Sequence, residues 1–496
     1  MNEEKLKSLT AKSLKWNLVD KLSTQVLYAV TGIVLAWLLP HEDFGLVGAI
    51  LIFQAFASLF VDSGFSSALI QRKNPTSEDY STVLWFNLFT AVLLYVVLWF
   101  CAPYIAEIFQ NDTRLIPLSR VMFLSFILNA SAIVQTNRLM KQMNVRPIAV
   151  TNALGLAAGG VVGIYLAFAG YGAWAIVWQT IVTSGTKSLL LWITNKWLPS
   201  FTFSFSILKS FFKVGSGVMA TSFLNTIFLN IYSFFIGNRL GMAQLGYYTQ
   251  ADKWSKMGIM SVSQTLTSAF LPTLSSVQDD EERFKRATTK MNRFTAYFIF
   301  PSMLFLCLLA EPIFHILFGT KWDMSIVLFQ LLLIKGIFTV LTGLYSNYLL
   351  SLGRAKTIFV LETVKDGCSL IALLISLPFM TILSDGDIVY GIKIMLAGQI
   401  VAALVSCAVS LIVAAKASKQ SSLQYVVHLL PYLVITLLAL AAAYPVCTVI
   451  RNPWLLAAVQ SIVMIGVYVL VNSLLHSALQ KEVLSYIFKK SERSVV

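Results

Sequence analysis

The stretch Gly246-Tyr-Tyr-Thr-Gln-Ala-Asp-Lys-Trp-Ser-Lys-Met257 opens an apolar run that continues to Pro272. It has the length and composition of a bilayer-crossing helix and yet carries three charges, Asp252, Lys253 and Lys256. A charge near the bilayer centre costs about 2.5–3.5 kcal/mol on insertion scales, so these side chains must face protein or water rather than lipid. Asp252 and Lys256 stand four residues apart on one helix face and are predicted to pair, with Lys253 beside them. Such a helix belongs inside a membrane bundle.

The rest of the chain supplies that bundle. Of 496 residues, 57% are hydrophobic and 12% charged, whereas soluble domains carry about 25% charged residues. About fourteen apolar runs of roughly 20–28 residues are each long enough to cross a bilayer with some tilt. The expected fold is therefore an all-α polytopic membrane protein of about 14 transmembrane helices.

The formal charge of +14 would ordinarily suggest nucleic acid. Here the basic residues sit in short loops between apolar runs, where they orient the chain, and no nucleic-acid partner is expected. With the N-terminus in the cytoplasm, cytoplasmic segments collect about 23 basic residues against about four outside (Arg114, Arg239, Lys321 and Arg451). The bias holds loop by loop and places both termini in the cytoplasm. The N-terminal run is read as a retained first helix, because no small-residue cleavage site follows it.

The chain also repeats itself. Leu39-Pro-His-Glu-Asp-Phe-Gly45 aligns with Leu240-Gly-Met-Ala-Gln-Leu-Gly246 at an offset of about 201, and Ser67-Ala-Leu69 meets Ser268-Ala-Phe270 at the same offset. Asn87-Leu-Phe-Thr-Ala91 then meets Asn292-Arg-Phe-Thr-Ala296, Pro103 and Phe109 meet Pro312 and Phe318, and Arg146-Pro-Ile148 meets Lys356-Thr-Ile358. The offset drifts only upward. The repeat is six helices long, so both copies start on the same side of the membrane, as parallel repeats about an axis along its normal. The expected organisation is an N-terminal six-helix lobe (1–200), a C-terminal six-helix lobe (201–420), and two extra helices with a basic amphipathic tail (421–496). Two such lobes can rock about a cavity between them and give alternating access.

The repeat matches small residues but not charges: Lys253 aligns with Ile52, and Asp62 with Ser263. Unshared charges point to one asymmetric substrate. Lys335, in the middle of Leu331-Leu-Leu-Ile-Lys-Gly-Ile-Phe338, is too deep to snorkel and is the principal candidate for a cavity cation. Lys253, Lys256, Lys21 and Arg120 are further cationic candidates, Lys253 and Lys256 as contacts on the outer, release side. Arg120 lies near enough to a span end to snorkel. Asp62, Asp252, Glu362, Lys365 and Asp366 are coupling or structural ion-pair candidates. In Glu362-Thr-Val-Lys-Asp366 the three charges lie at i, i+3 and i+4, either as a salt-bridge cluster joining helices or as a site responsive to protons or cations. An excess of Lys and Arg favours an anion, diphosphate above all.

Gly155, Gly159 and Gly163, at four-residue spacing, predict a close-packed helix face. Residues 478–490, Ala478-Leu-Gln-Lys-Glu-Val-Leu-Ser-Tyr-Ile-Phe-Lys-Lys490, read as an amphipathic helix on anionic membrane lipid. The five cysteines lie in apolar runs without metal or redox spacing. No phosphate-binding Gly-Lys-Ser/Thr loop and no His-Glu-x-x-His or nucleophile-elbow motif occurs, so neither ATP-driven transport within the chain nor catalysis is expected. No resident cofactor or metal is expected either.

Asp62-Ser-Gly-Phe-Ser-Ser-Ala-Leu-Ile-Gln-Arg-Lys73, followed by Ser77-Glu-Asp-Tyr-Ser-Thr-Val-Leu-Trp85, resembles the second-to-third helix signature of bacterial polysaccharide exporters. These are the Wzx-type lipid-linked oligosaccharide flippases of the multidrug/oligosaccharidyl-lipid/polysaccharide superfamily. Leu245-Gly-Tyr-Tyr-Thr-Gln-Ala-Asp-Lys253 resembles the start of that family's eighth helix, although Gln250 stands where the pattern Tyr-Tyr-x-Arg-Ala has Arg. The resemblance covers nearly the whole chain. It implies movement of an undecaprenyl-diphosphate-linked oligosaccharide across the bacterial plasma (inner) membrane, through a cationic cavity between two six-helix lobes, with coupling to H⁺ or Na⁺ as an option. A polysaccharide polymerase and assembly proteins are the candidate protein partners. A cation-coupled multidrug antiporter of the same superfamily is the alternative, but it would want an anionic pocket. A membrane glycosyltransferase or polymerase would want catalytic carboxylates or a long soluble loop, and the longest extramembrane stretches here are about a dozen residues.

Overall fold

The computed structural model describes residues 3–62, 64–380, 387–477 and 479–482. These are helices joined by short connections, with no β-strand among the described residues. In chain order the helices are α1 (Glu3–Leu38), α2 (His41–Asp62), α3 (Phe65–Gln71), α4 (Ser77–Ile108), α5 (Leu115–Met122), α6 (Leu124–Lys141), α7 (Arg146–Phe168), α8 (Ala173–Asn195) and α9 (Phe205–Arg239). They continue as α10 (Met242–Ser275), α11 (Glu281–Leu308), α12 (Ala310–Phe318), α13 (Asp323–Ser351), α14 (Ala355–Ser376), α15 (Tyr390–Ala417), α16 (Ser422–Ala443), α17 (Val446–Val449) and α18 (Pro453–Leu474).

Local chemistry sets the boundaries. Asp79 N–H donates to Thr76 Oγ1 (3.2 Å) and Thr76 N–H donates to Asp79 Oδ2 (2.8 Å), a reciprocal capping box that starts α4. Asp280 caps α11 through Arg283 N–H, and Asn452 caps α18 just before Pro453, whose missing N–H is harmless in the first turn. Gly64, at φ +71°, supplies the left-handed residue that separates α2 from α3.

Eleven segments among the described residues are long and apolar enough to cross a membrane. The long helices that fall short of that mark are α8, α10 and α14. They carry polar side chains, among them Thr183, Ser184 and Lys187 on α8, Asp252, Lys253, Lys256 and Gln264 on α10, and Glu362, Lys365 and Asp366 on α14. Large apolar side chains elsewhere point outward, among them Phe100, Tyr165, Ile462 and Leu470. In a bilayer-crossing helix these meet hydrocarbon rather than water.

The chain forms two compact units, residues 1–249 and 250–496. In the first, α7 packs on α1 and α8, α6 on α4 and α8, and α9 on α2. The glycine stripe on α7 makes its close contact with α8. A Cβ at Gly155 would lie 2.9 Å from the Thr183 carbonyl, one at Gly159 would strike Thr183 Oγ1, and one at Gly163 would lie 2.9 Å from Gln179 Cβ. In the second unit, α15 packs on α13 and α14, and α11 on α13 and α16, while α18 packs on α16. Of the predicted amphipathic stretch 478–490, all but residues 479–482 lies outside the described residues.

The first turns of α2 and α10 cross at glycine. A Cβ added to Gly45 would meet the Met242 carbonyl, and one added to Gly246 would meet the His41 carbonyl. Gly48 faces Thr249, whose Oγ1 would lie 2.7 Å from an added Cβ. His41 and Tyr247 stack above the crossing, with ring centroids 4.5 Å apart.

Candidate functional site

Three helices of the second unit bring sequence-distant charges together. On α10 the predicted pair forms, with Lys256 Nζ 2.6 Å from Asp252 Oδ2. On α14, Lys365 bonds Glu362 one turn back, and Asp366 lies within electrostatic reach of both. Lys335, on α13, donates through Nζ to Gln399 Oε1 on α15 at 2.7 Å. The charges of Asp252, Lys256 and Lys365 all act on Lys335. Three of the predicted residues, from α10 and α14, are thus within electrostatic reach of it.

The partners differ in kind. Lys256 and Lys365 each have a carboxylate. Lys335 is half-buried and bonded to a neutral amide, with no carboxylate at ion-pair distance among the described residues. Gln399 satisfies one of the ammonium's three donors without cancelling its charge. In a low-dielectric helix bundle an uncompensated ammonium is costly unless an anion or water reaches it, so this position favours an anionic guest. The Lys256 and Lys365 side chains are 46% and 36% exposed, open enough to exchange their carboxylates for another anion.

Next to this cluster, Lys253 Nζ lies 5.3 Å from the Trp254 ring centroid. Gln250, where the resembling family has Arg, is buried and accepts from Trp254 Nε1 at 3.1 Å. Trp254 also packs on Phe318.

The remaining candidates belong to the first unit. Asp62 accepts from the Ser66 backbone N–H (3.3 Å) and from the Ser66 hydroxyl, which in turn accepts from Asn137 Nδ2 at 2.8 Å. These bonds tie the α2–α3 break to α6. Arg120 lies over Trp99, its guanidinium carbon 3.9 Å from the ring centroid, and donates to the Trp99 carbonyl at 3.2 Å. Lys21 is exposed on α1, next to Asp20, which accepts from Asn152 on α7 at 3.0 and 3.2 Å.

The sequence reading missed the neutral amides. Gln399 in Leu396-Ala-Gly-Gln-Ile400 and Asn152 are polar residues inside apolar runs, and that was the available signal: a membrane-embedded amide needs a partner, and in both cases the partner is a charge.

The geometry can be set beside known proteins. The succinoglycan biosynthesis transport protein ExoT of Rhizobium meliloti (strain 1021) is 27% identical over 349 residues, covering 70% of this chain and 70% of its own length. The teichuronic acid biosynthesis protein TuaB of Bacillus subtilis (strain 168) is 26% identical over 354 residues, covering 70% and 72%. Among solved structures, the lipid II flippase MurJ in an inward closed conformation superposes with a TM-score of 0.73 at 15% identity, over 94% of this chain and 99% of that one. At that identity the likeness establishes a shared fold. The family model described as polysaccharide biosynthesis protein matches residues 34–327, more than half of the chain, and the chain belongs to that family.

Proposed function

We propose that the protein is a flippase that moves an undecaprenyl-diphosphate-linked oligosaccharide from the inner to the outer leaflet of the bacterial plasma membrane. The observation that carries this reading is Lys335: an ammonium within a membrane span, held by a neutral amide, with Lys256 and Lys365 nearby. A diphosphate is the compact dianion such a group of ammonium charges suits. The relatives, a succinoglycan transport protein and a teichuronic acid biosynthesis protein, and the likeness to a lipid II flippase support a glycan carried on lipid.

The proposed architecture has fourteen spans with both termini cytoplasmic, α8, α10 and α14 completing the eleven apolar ones. Six-helix lobes spanning 1–200 and 201–420 alternate access, and residues 421–496 add two helices. The α2–α10 crossing supports the repeat, because its contacts are reciprocal at an offset of 201 residues. Glu362 and Asp366 are the proposed coupling carboxylates for H⁺ or Na⁺, and a polysaccharide polymerase would receive the product.

The decisive experiment deletes the gene in its native host. Lipid-linked units should accumulate on the inner leaflet while surface polysaccharide is lost. Normal surface polysaccharide in the deletion strain would overturn the assignment.

A further inference from the structure

A second cationic site lies in the second unit, away from the Lys335 cluster. A cavity of about 700 Å³ opens among the first turns of α11, the α15–α16 turn and residues 479–482. On α11, Arg286, Lys290 and Arg293 follow at i, i+4 and i+7 and so share one face, with Lys285 and Thr289 beside them. Lys419 closes the opposite wall. Five cations thus surround the cavity with one lining carboxylate, Glu482.

The wall is built rather than accidental. Gln420 Nε2 donates to the Lys285 carbonyl and to Thr288 Oγ1, both at 3.0 Å, and Thr289 Oγ1 donates to Gln420 Oε1 at 3.2 Å. These three bonds fix the α15–α16 turn on α11. They also hold the N-terminus of α16, with its unpaired backbone N–H groups, at the cavity through Ser421. Several cations have internal partners: Lys290 with Glu482 (2.6 Å), Lys419 with Glu281 (2.5 Å), and Lys285 with Glu281 and Glu282 (3.8 and 3.6 Å). Arg286 and Arg293 have no carboxylate partner among the described residues; Arg286 donates to the Glu282 carbonyl.

The surroundings select the anion. The cavity lies where spans α11 and α16 begin, on the side that the loop charges assign to the cytoplasm. Leu479 contributes an apolar wall, and Leu423 and Val427 stand exposed on the first two turns of α16. A guest with a phosphate on a hydrocarbon tail satisfies both surfaces, whereas a soluble phosphate satisfies one.

We infer that this cavity binds the phosphodiester headgroup of an anionic phospholipid, held by Arg286, Arg293 and Lys290, with Glu482 acting as an internal competitor for Lys290. This is a lipid site distinct from the proposed transport site.

The test uses the full-length protein in detergent, titrated with a fluorescent phosphatidylglycerol and a matched phosphatidylcholine, with inorganic phosphate as competitor. The wild type should prefer phosphatidylglycerol. The Arg286→Gln, Arg293→Gln double variant should weaken that lipid about 25-fold, at about fivefold per cation. Glu482→Gln should tighten it about fivefold, in the opposite direction to any folding defect. Lys209→Gln, which removes an exposed cation from the first unit, should leave affinity unchanged. Equal weakening by Lys209→Gln, or no tightening by Glu482→Gln, overturns the site. Binding of inorganic phosphate without preference between the two lipids assigns it to a soluble anion and overturns the lipid.

Discussion

Gly45 and Gly246 make the same contact twice: each lies against the carbonyl of the residue four positions before the other, Met242 and His41 respectively. The residues within each equivalent pair, Gly45 with Gly246 and His41 with Met242, are 201 positions apart, as are Gly48 and Thr249 at the centre of the crossing. Contacts that exchange in this way define a local two-fold relation between residues 41–48 and 242–249, all within the first unit. No side chain other than hydrogen fits at either glycine, because the opposing atom is backbone and cannot rotate away.

The crossing predicts matched defects. Gly45→Ala and Gly246→Ala should each destabilise the protein by about 1–3 kcal/mol, the usual range for overpacking, and by similar amounts. Thermal melting of the purified protein measures this. A tolerated alanine at either position would mean that the helices lie farther apart than described.

Lys335 and Gln399 should separate under mutation. A hydrogen bond to a charged group contributes about 1.5–3 kcal/mol, so loss of a comparable Lys335–diphosphate contact in Lys335→Ala should slow transport about tenfold or more. Gln399→Leu removes the internal partner but leaves the ammonium for substrate, and should mainly lower stability. Transport of fluorescent lipid-linked substrate in proteoliposomes and melting temperature distinguish the two. If both variants lose stability and neither loses transport per folded molecule, Lys335 is not a substrate contact.

The α14 charges bear on coupling. Asp366→Asn should flatten the dependence of transport on pH or Na⁺, while Glu362→Gln should release Lys365 and alter the same dependence. Measuring flux across a pH series and a Na⁺ series checks both. A fall in expression with unchanged ion dependence would assign the trio to holding helices together.

A fourth test concerns the loop between α4 and α5. Arg114 donates to Asp112 through Nε at 2.9 Å and Nη2 at 2.7 Å, and also reaches Glu42 at 3.4 Å. The Arg114 hydrogen bonds hold the Asp112 carboxyl below the usual carboxylate range. A depressed folded-state pKa gives stability that is present above the unfolded value, about 3.9, and is lost as pH falls through the folded one. Arg114 is 53% exposed, so the contribution is at most about 1 kcal/mol. Asp112→Asn should therefore melt slightly below wild type at neutral pH, and the difference should vanish in acid. A difference that grows in acid would contradict the pairing.

Much of this was legible in the chain. Apolar runs and loop charges indicated an all-helical membrane protein, and the family resemblance held. The α10 ion pair and the α7 glycine face were readable because both are periodic: residues four apart on a helix share a face whatever the helix packs against. The offset of 201 was readable along the sequence, and at that offset Gly45 and Gly246 make reciprocal contacts.

Tertiary structure decided the rest. Lys335 meets Gln399 across 64 residues, and Asp62 binds Ser66, which in turn receives Asn137 from 71 residues away. Arg120 stacks on Trp99. The contacts between helices do not follow from periodicity, because which helix neighbours which, and at what rotation, is set by side-chain packing between helices. The sequence by itself determined which side chains are too polar for lipid; only the packed bundle determined which of them face a carboxylate, which a neutral amide, and which, as at Lys335, keep a charge that an anion can still answer.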